Sequence, residues 1–317
     1  MAKQYSSEDV EFKPKFLEHF AKLTDIEKFK EYSTKFMRRS IRVNTLKMSV
    51  ADLKKRINEK GEWKLEPVPW CDSGFYIENI KSGRRDIGNM LEHTLGYVYV
   101  QEDVSMIPPL VLKPKPGEIV LDMCAAPGSK TTQMASMMKN EGTLVANDFK
   151  GDRIKSLGIN LQRCGVSNAI ITLMQGHRFA KAGMQFDKIL VDAPCSGTGT
   201  IRKSLKTLRM WNPEGTKKLA GQQKLLIDAA FQCLKQGGEM VYSTCSVEPE
   251  EDEAVVSFLL NKYEKAKTEK IDIPIKHGKP IMEFDGNKYN DSVEKVLRLW
   301  PQDNDTEGFF IAKIKKL

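Results

Sequence analysis

From residue 104 onward, short apolar runs alternate with helical patterns, and this alternation limits the possible folds more than any other feature of the chain. Residues 119–123 read as a buried strand, 129–138 as a helix, 143–147 as a strand and 151–163 as a helix. Two more strands fall at 169–174 and 188–191, then a long helix at 213–235, a strand at 239–243 and a helix at 249–263, with Pro249 suited to its first turn. Strands separated by helices require a mostly parallel sheet with both faces covered. A helix at 104–112 precedes the series and ends before Pro114 and Pro116. The end of the chain differs, because 296–299 and 309–314 read as an antiparallel edge hairpin, while 265–295 is polar and carries no assignable period. The expected fold class is therefore α/β.

The first hundred residues follow another pattern. Residues 12–36 read as helical with a break near 24–25, and 40–46 alternate as a strand. Ser49 can cap a helix through Leu53 and Ile57 that stops at Gly61, and strand-like pieces follow at 65–68 and 75–80. This order predicts a small α+β module over 1–100, ahead of an α/β domain over 101–317. Arg38, Arg39, Arg42, Lys81, Arg84 and Arg85 give the module a basic set, read either as a solvated surface or as a phosphate contact.

The net charge of +8 leans toward a polyanionic partner, and 40% hydrophobic residues suffice for a sizeable core. The N-terminal residues hold no apolar core of signal-peptide type, and no stretch is long enough to cross a bilayer, so no membrane association and a cytoplasmic location are expected. Cys71, Cys124, Cys164, Cys195, Cys233 and Cys245 form no C-x-x-C pair. Free thiols and no metal site are the expectation.

The strand ending Val120-Leu121-Asp122 runs into Met-Cys-Ala-Ala-Pro-Gly-Ser-Lys and then a helix. Open parallel sheets bind ligands at the carboxyl ends of their strands. Small residues at Ala125, Ala126 and Gly128 let backbone approach a ligand, and the helix start presents N–H groups to an anion such as a carboxylate. The pattern G-x-G-x-x-G is absent, which argues against a nicotinamide cofactor. The next strand ends in Asn147-Asp148, where an acid commonly holds ribose hydroxyls. A tight strand-helix turn with a helix-capping acid is the purely structural alternative.

Two thiols lie just past two strands: Cys195 in VDAPCSGTG (191–199), close to Asp192, and Cys245 in YSTCS (242–246). One such cysteine reads as packing; two at the ligand-binding edge, with an acid beside one, read equally as a catalytic pair. Their chemistry suits a cytosine ring, whose carbon 5 is too weak a nucleophile to take a methyl group unaided. A thiolate adding to carbon 6 turns carbon 5 into an enamine-like nucleophile.

At these residues the chain resembles the Sun/RsmB-type family of RNA 5-methylcytosine methyltransferases. The resemblance runs through SIRVNTLK (40–47), GYVYVQEDVSM (96–106), LDMCAAPGSKTTQ (121–133), VDAPCSGTG (191–199), YSTCSVEPEED (242–252) and WPQDNDTEGFFIAKI (300–314). It implies a Rossmann-like S-adenosylmethionine-dependent methyltransferase domain preceded by a small RNA-binding domain. Carried over by motif, the loop Cys124, Ala125, Ala126, Pro127, Gly128, Ser129 and Lys130, together with Asp148 and Arg153, binds S-adenosylmethionine. Asp192 contacts the target cytosine or lies beside the cofactor, Cys245 is the nucleophile, Cys195 assists product release and Lys130 contributes to the site's electrostatics. Family members often carry an Asp near the end of the third strand; here Gln175 aligns with it, since Gly176 then matches the usual following Gly. An amide can still accept a hydrogen bond from the adenine amino group, whereas the other alignment, with Gly176 there, removes that contact. His177 and Arg178 then touch RNA or are simply exposed.

A DNA cytosine methyltransferase is the rival enzyme, with Cys195 as attacker; the Thr-Cys motif at Cys245 and the N-terminal module favour RNA. A non-catalytic RNA-binding assembly factor would have no need to retain Lys130, Asp192, Cys195 and Cys245. The compact form resembles archaeal tRNA enzymes of the family, so tRNA is expected over ribosomal RNA, and a monomer over an oligomer.

Overall fold

The structure, a computed structural model, describes residues 10–83 and 85–317. Arg84, one of the basic set, lies outside the described residues. The chain forms two compact units. The larger holds residues 38–192, 228–241 and 315–317; the other holds the residues through 37 with 193–227 and 242–314.

In the larger unit, strands β1 (Ser40–Val43), β2 (Trp63–Val68), β3 (Cys71–Asn79) and β4 (Val98–Val100) form an antiparallel sheet in the order β2-β3-β1-β4. Helix Val50–Lys60 covers it. Ser49 accepts from the Asp52 N–H at the helix start, and Gly61 ends the helix at φ 57, as the capping pattern predicts. Leu53 and Ile57, one turn apart, bury their side chains with Ile41, Val43, Phe75 and Ile77.

The same unit carries β5 (Ile119–Asp122), β6 (Thr143–Asp148), β7 (Ala169–Leu173), β8 (Phe186–Asp192) and most of β9 (Leu234–Thr244), in the order β9-β8-β5-β6-β7. Strand β5 runs parallel to both neighbours, with Val120 opposite Leu144 on one side and Lys188 on the other. The chain order turns back at β5, so the carboxyl end of this strand is the switch point where such sheets open a crevice. Leu157 and Leu161 of helix Gly151–Cys164 pack on Ala125, Ala126 and Ala146. Strand β9 is longer than the expected 239–243, and helix Pro213–Cys233 ends two residues early. At Gly238 any Cβ would meet the Asp187 carbonyl oxygen at 2.9 Å, a closeness that suits a strand and no larger residue.

In the other unit, helices Pro14–Ala21 and Ile26–Thr34 break at 24–25 as expected, with Asp25 capping the Lys28 N–H. Phe16, Phe20 and Phe29 bury their rings with Trp211, Val247 and Trp300. The polar stretch 265–295 contains β10 (Ala266–Glu269) and a small hairpin of β11 (Glu283–Phe284) and β12 (Asn287–Lys288). Strands β13 (Leu297–Leu299) and β14 (Phe309–Lys316) make the expected antiparallel pair, Leu297 facing Ile311 and Leu299 facing Phe309.

One helix departs from its expected start. It spans Glu253–Lys262 and leaves Pro249 in the turn before it. The side chains of Glu248, Glu251 and Asp252 are buried and accept from Trp211, Ser196 and Thr244, bonds that hold this turn outside the helix.

Candidate active site

The loop after β5 folds around Gly128, which caps helix Ser129–Met137 at φ 107, a conformation that disfavours side chains. No side chain caps this helix, so its first N–H groups remain for an anion. The peptide Ala126–Pro127 is cis. Thr131 Oγ1 donates to Asp122 Oδ2 at 2.7 Å, while Asp122 Oδ1 is buried with no hydrogen-bond partner. Burial, with a smaller contribution from the charge of Asp192, pushes the Asp122 carboxyl up to about 7.

At the end of β6, the buried Asp148 ties down the same loop. Its Oδ2 accepts from the Ala126 N–H at 3.2 Å and pairs with Arg153 Nη1 at 3.2 Å; its Oδ1 accepts from the Lys150 N–H at 3.1 Å. Arg153 also donates to the Ala126 carbonyl. Lys130 is buried and its Nζ donates to Asp192 Oδ2 at 2.7 Å, giving a buried cation the partner it needs. Gln175 is exposed, and its backbone carbonyl accepts from the Arg178 N–H; His177 and Arg178 are exposed as well. The open helix N-terminus and the unpartnered Asp122 oxygen suit a ligand bearing both a carboxylate and an ammonium, as the methionine end of S-adenosylmethionine does.

The two thiols sit together in the other unit. Cys195 Sγ and Cys245 Sγ are 3.1 Å apart, both half-buried. The Ala193 N–H donates to the Ser243 carbonyl at 2.9 Å and the Gly199 N–H to the Cys245 carbonyl at 3.0 Å, so the two cysteine loops are laced by backbone. A Cβ on Gly199 would lie 2.1 Å from the Gly308 oxygen and 2.9 Å from the Cys245 oxygen, so only glycine fits there. The Cys195 thiol is held well above its ordinary range by its hydrogen bond to Cys245, by burial and by the charges of Cys245 and Glu251. The other cysteines are also free thiols: Cys71, Cys164 and Cys233 are buried, and burial pushes the Cys124 thiol up.

Sequence reasoning missed Glu251, Gln223 and Asp122. Of these, Asp122 alone carried a visible signal, an acid ending an apolar strand at the switch point. It also misplaced Arg42. The Arg42 guanidinium is buried and donates to Gln101 Oε1 and Thr132 Oγ1, both at 2.8 Å, so it is not part of a basic surface. Every residue of β1 is buried, which leaves this side chain no route to solvent. Arg38 is exposed, pairs with Glu66 at 2.7 Å and lies 3.6 Å over the Tyr76 ring; Lys81 and Arg85 are exposed too. Among the described residues, His19, Glu248 and Glu250 bring possible metal-ligating atoms within 4.8 Å of one another. Both oxygens of Glu248 are already engaged there, by His19 Nε2 at 2.6 Å and Trp211 Nε1 at 2.7 Å. No helix of the described residues is long and apolar enough to cross a membrane.

A parallel sheet that opens at β5 beside a small-residue loop, in a chain that also brings two thiols together, is the equipment of an S-adenosylmethionine-dependent RNA cytosine-5 methyltransferase. The chain belongs to the 16S rRNA methyltransferase RsmB/F family, whose model matches residues 109–315; a model of the N-terminal domain of 16S rRNA methyltransferase RsmF matches residues 11–103. It is 49% identical over 313 residues to a tRNA (cytosine(49)-C(5))-methyltransferase of Pyrococcus abyssi, covering 98% of this chain and 99% of that one. It is 46% identical over 284 residues to ribosomal RNA small subunit methyltransferase F of Aliivibrio fischeri, covering 88% of this chain but only 58% of that longer protein. The crystal structure of a methyltransferase homologue from Pyrococcus horikoshii superposes with a TM-score of 0.83 at 36% identity, over 96% of this chain and 100% of that one.

Proposed function

We propose that this enzyme methylates carbon 5 of a cytosine in tRNA, with Cys245 as the attacking thiolate. The observation that carries this reading is the 3.1 Å separation of the Cys245 and Cys195 sulfurs. The Cys245 thiolate adds to carbon 6 of the ring, forming a carbon–sulfur bond and making carbon 5 nucleophilic. When bound, S-adenosylmethionine would supply its sulfonium methyl group to carbon 5 and leave as the neutral thioether. The carbon-5 proton passes to a water acting as base, its bonding electrons re-form the carbon 5–carbon 6 double bond, and the carbon–sulfur bond breaks to release the Cys245 thiolate. Cys195 assists that release. Asp192 hydrogen-bonds the nitrogen edge of the cytosine, and Lys130 balances its charge at 2.7 Å.

Toward the cofactor, the loop from Cys124 to Lys130 holds the methionine end, Asp148 the ribose hydroxyls and Gln175 the adenine edge, while Arg153 orients Asp148. Residues 1–100 position the RNA and 101–317 transfer the methyl group, a division supported by the two family matches at 11–103 and 109–315. The protein acts as a monomer in the cytoplasm. The tRNA reading is supported by near-complete coverage of a relative named for tRNA, where the relative named for ribosomal RNA is much longer than this chain. Ribosomal RNA is the alternative within the same family. Mapping methylated cytosines in RNA from cells with and without the gene tests the choice. Loss at a tRNA cytosine is the expected result; loss confined to ribosomal RNA, or to DNA, overturns it.

A further inference from the structure

Ser196 follows Cys195 and Ser246 follows Cys245, and one buried carboxylate touches both serines. Glu251 Oε2 accepts from the Ser196 N–H at 2.9 Å, and Glu251 Oε1 accepts from Ser246 Oγ at 3.3 Å. Gln223 Nε2 donates to Glu251 Oε2 at 2.8 Å and to the Pro194 carbonyl at 2.9 Å, so it braces the Cys195 loop from the helix side. Tyr242 Oη donates to the Glu251 carbonyl at 2.6 Å and fixes the backbone beneath. Glu251 is fully buried, and its donors are an amide N–H, a side-chain amide and a hydroxyl, all neutral. Burial pushes its carboxyl up to about 7, so it carries its charge above that pH, the range in which the raised Cys195 thiol titrates.

We propose that Glu251 is a positioning residue for the methyl transfer: it locks the two cysteine loops in register and sets its charge against the amide that follows Cys195. This rests on the reading of Cys245 as nucleophile. A buried carboxylate with neutral donors is an expensive way to join two loops, since hydroxyls or amides would serve without the desolvation cost. What the charge adds is asymmetry. Two thiols 3.1 Å apart compete for one ionisation, because two thiolates that close repel strongly. A carboxylate bonded to the residue next to Cys195 disfavours the thiolate there, in line with the upward push on Cys195 to which Glu251 contributes. The titratable groups facing Glu251 are Cys195, Glu248 and Asp252. Glu248 is held by His19 and Trp211, and Asp252 is paired with Arg298.

Glu251→Gln keeps the shape and an oxygen for the Ser196 and Gln223 donors; the charge is lost, and the bond to Ser246 Oγ reverses, the new N–H group donating to it. Glu251→Asp keeps the charge and shortens the reach. The experiment measures iodoacetamide alkylation of each cysteine against pH in the full chain, by mass spectrometry, beside kcat and KM for methyl transfer. In E251Q the Cys195 profile moves to lower pH by about one unit, roughly tenfold more thiolate at a fixed pH, and kcat falls with KM for S-adenosylmethionine unchanged. In E251D the Cys195 profile stays in place while kcat falls. A Cys195 profile in E251Q that superimposes on wild type, or a Cys195 profile in E251D that moves as far as the one expected for E251Q, overturns the charge role. A kcat unchanged in both variants overturns the positioning role. Failure of the nucleophile reading shows separately, as methyl transfer surviving in Cys245→Ala, and leaves the alkylation result intact.

Discussion

The sulfurs of Cys195 and Cys245 stand 3.1 Å apart although 50 positions separate them in the chain. Such proximity allows one thiol to act on an adduct carried by the other, and it predicts unequal variants. Cys245→Ala should lose methylation and form no covalent complex, while still binding S-adenosylmethionine. Cys195→Ala should attack, transfer the methyl group and stall, accumulating a protein–RNA adduct that survives denaturing electrophoresis. The reverse pattern would assign the attack to Cys195, and an absence of adduct in both would reduce the pair to packing.

Asp148 holds the loop after β5 through the Ala126 N–H and keeps Arg153 in place. Asp148→Ala should weaken S-adenosylmethionine binding by at least about tenfold, since charged hydrogen bonds are worth about 1.5–3 kcal/mol each. Isothermal calorimetry on the folded variant measures this, and unchanged affinity would remove Asp148 from the site.

How much of this was legible depends on where each signal lies. Strands β5 and β8 are buried almost end to end, so their apolar runs stand out. Strand β4 has three residues and β10 alternates through Lys267 and Glu269, too short or too polar to show a period. Cys245 and Cys195 were readable because each sits just past a strand of the expected sheet. Glu251 was not, because its partner Ser196 lies 55 positions away and its own neighbours look like an acidic helix start. Arg42 misled for the opposite reason: charge patterns presume exposure, and the acceptors that let a guanidinium stay buried come from Gln101 and Thr132, 59 and 90 positions on.

Arg38 and Arg85, which are exposed, and the half-buried Arg39 make a separate prediction. Replacing Arg38, Arg39 and Arg85 together by alanine should weaken RNA binding and flatten its dependence on salt, by a slope of about 0.7–0.9 for each phosphate that the protein no longer neutralises. Cofactor affinity should not change. Arg42→Ala is the contrasting variant: it leaves the buried acceptor Gln101 Oε1 unpaired and should lower the melting temperature instead. RNA affinity and salt slope both unmoved in the triple variant would make the patch a solvated surface.

Asp122 predicts how stability changes with pH. Its carboxyl is pushed up to about 7 in the folded chain, against an ordinary value of 3.8. Between those values the native state keeps a proton that the unfolded chain releases, so rising pH favours unfolding. The stabilising contribution is complete below the unfolded value and is lost as pH rises through about 7, at about 1.4 kcal/mol per pH unit within the window. Glu251, also pushed up to about 7 by burial, acts in the same direction. Asp122→Asn is neutral at every pH, and its amide oxygen can still accept from Thr131 Oγ1. Its unfolding free energy, from urea titrations at about pH 5, 6 and 7, should therefore fall less steeply with pH than that of the wild type, by about the slope of one proton. Equal slopes in the two proteins would mean that Asp122 is ionised in the fold, and the unpartnered oxygen at the switch point would then carry a full charge before any cofactor arrives.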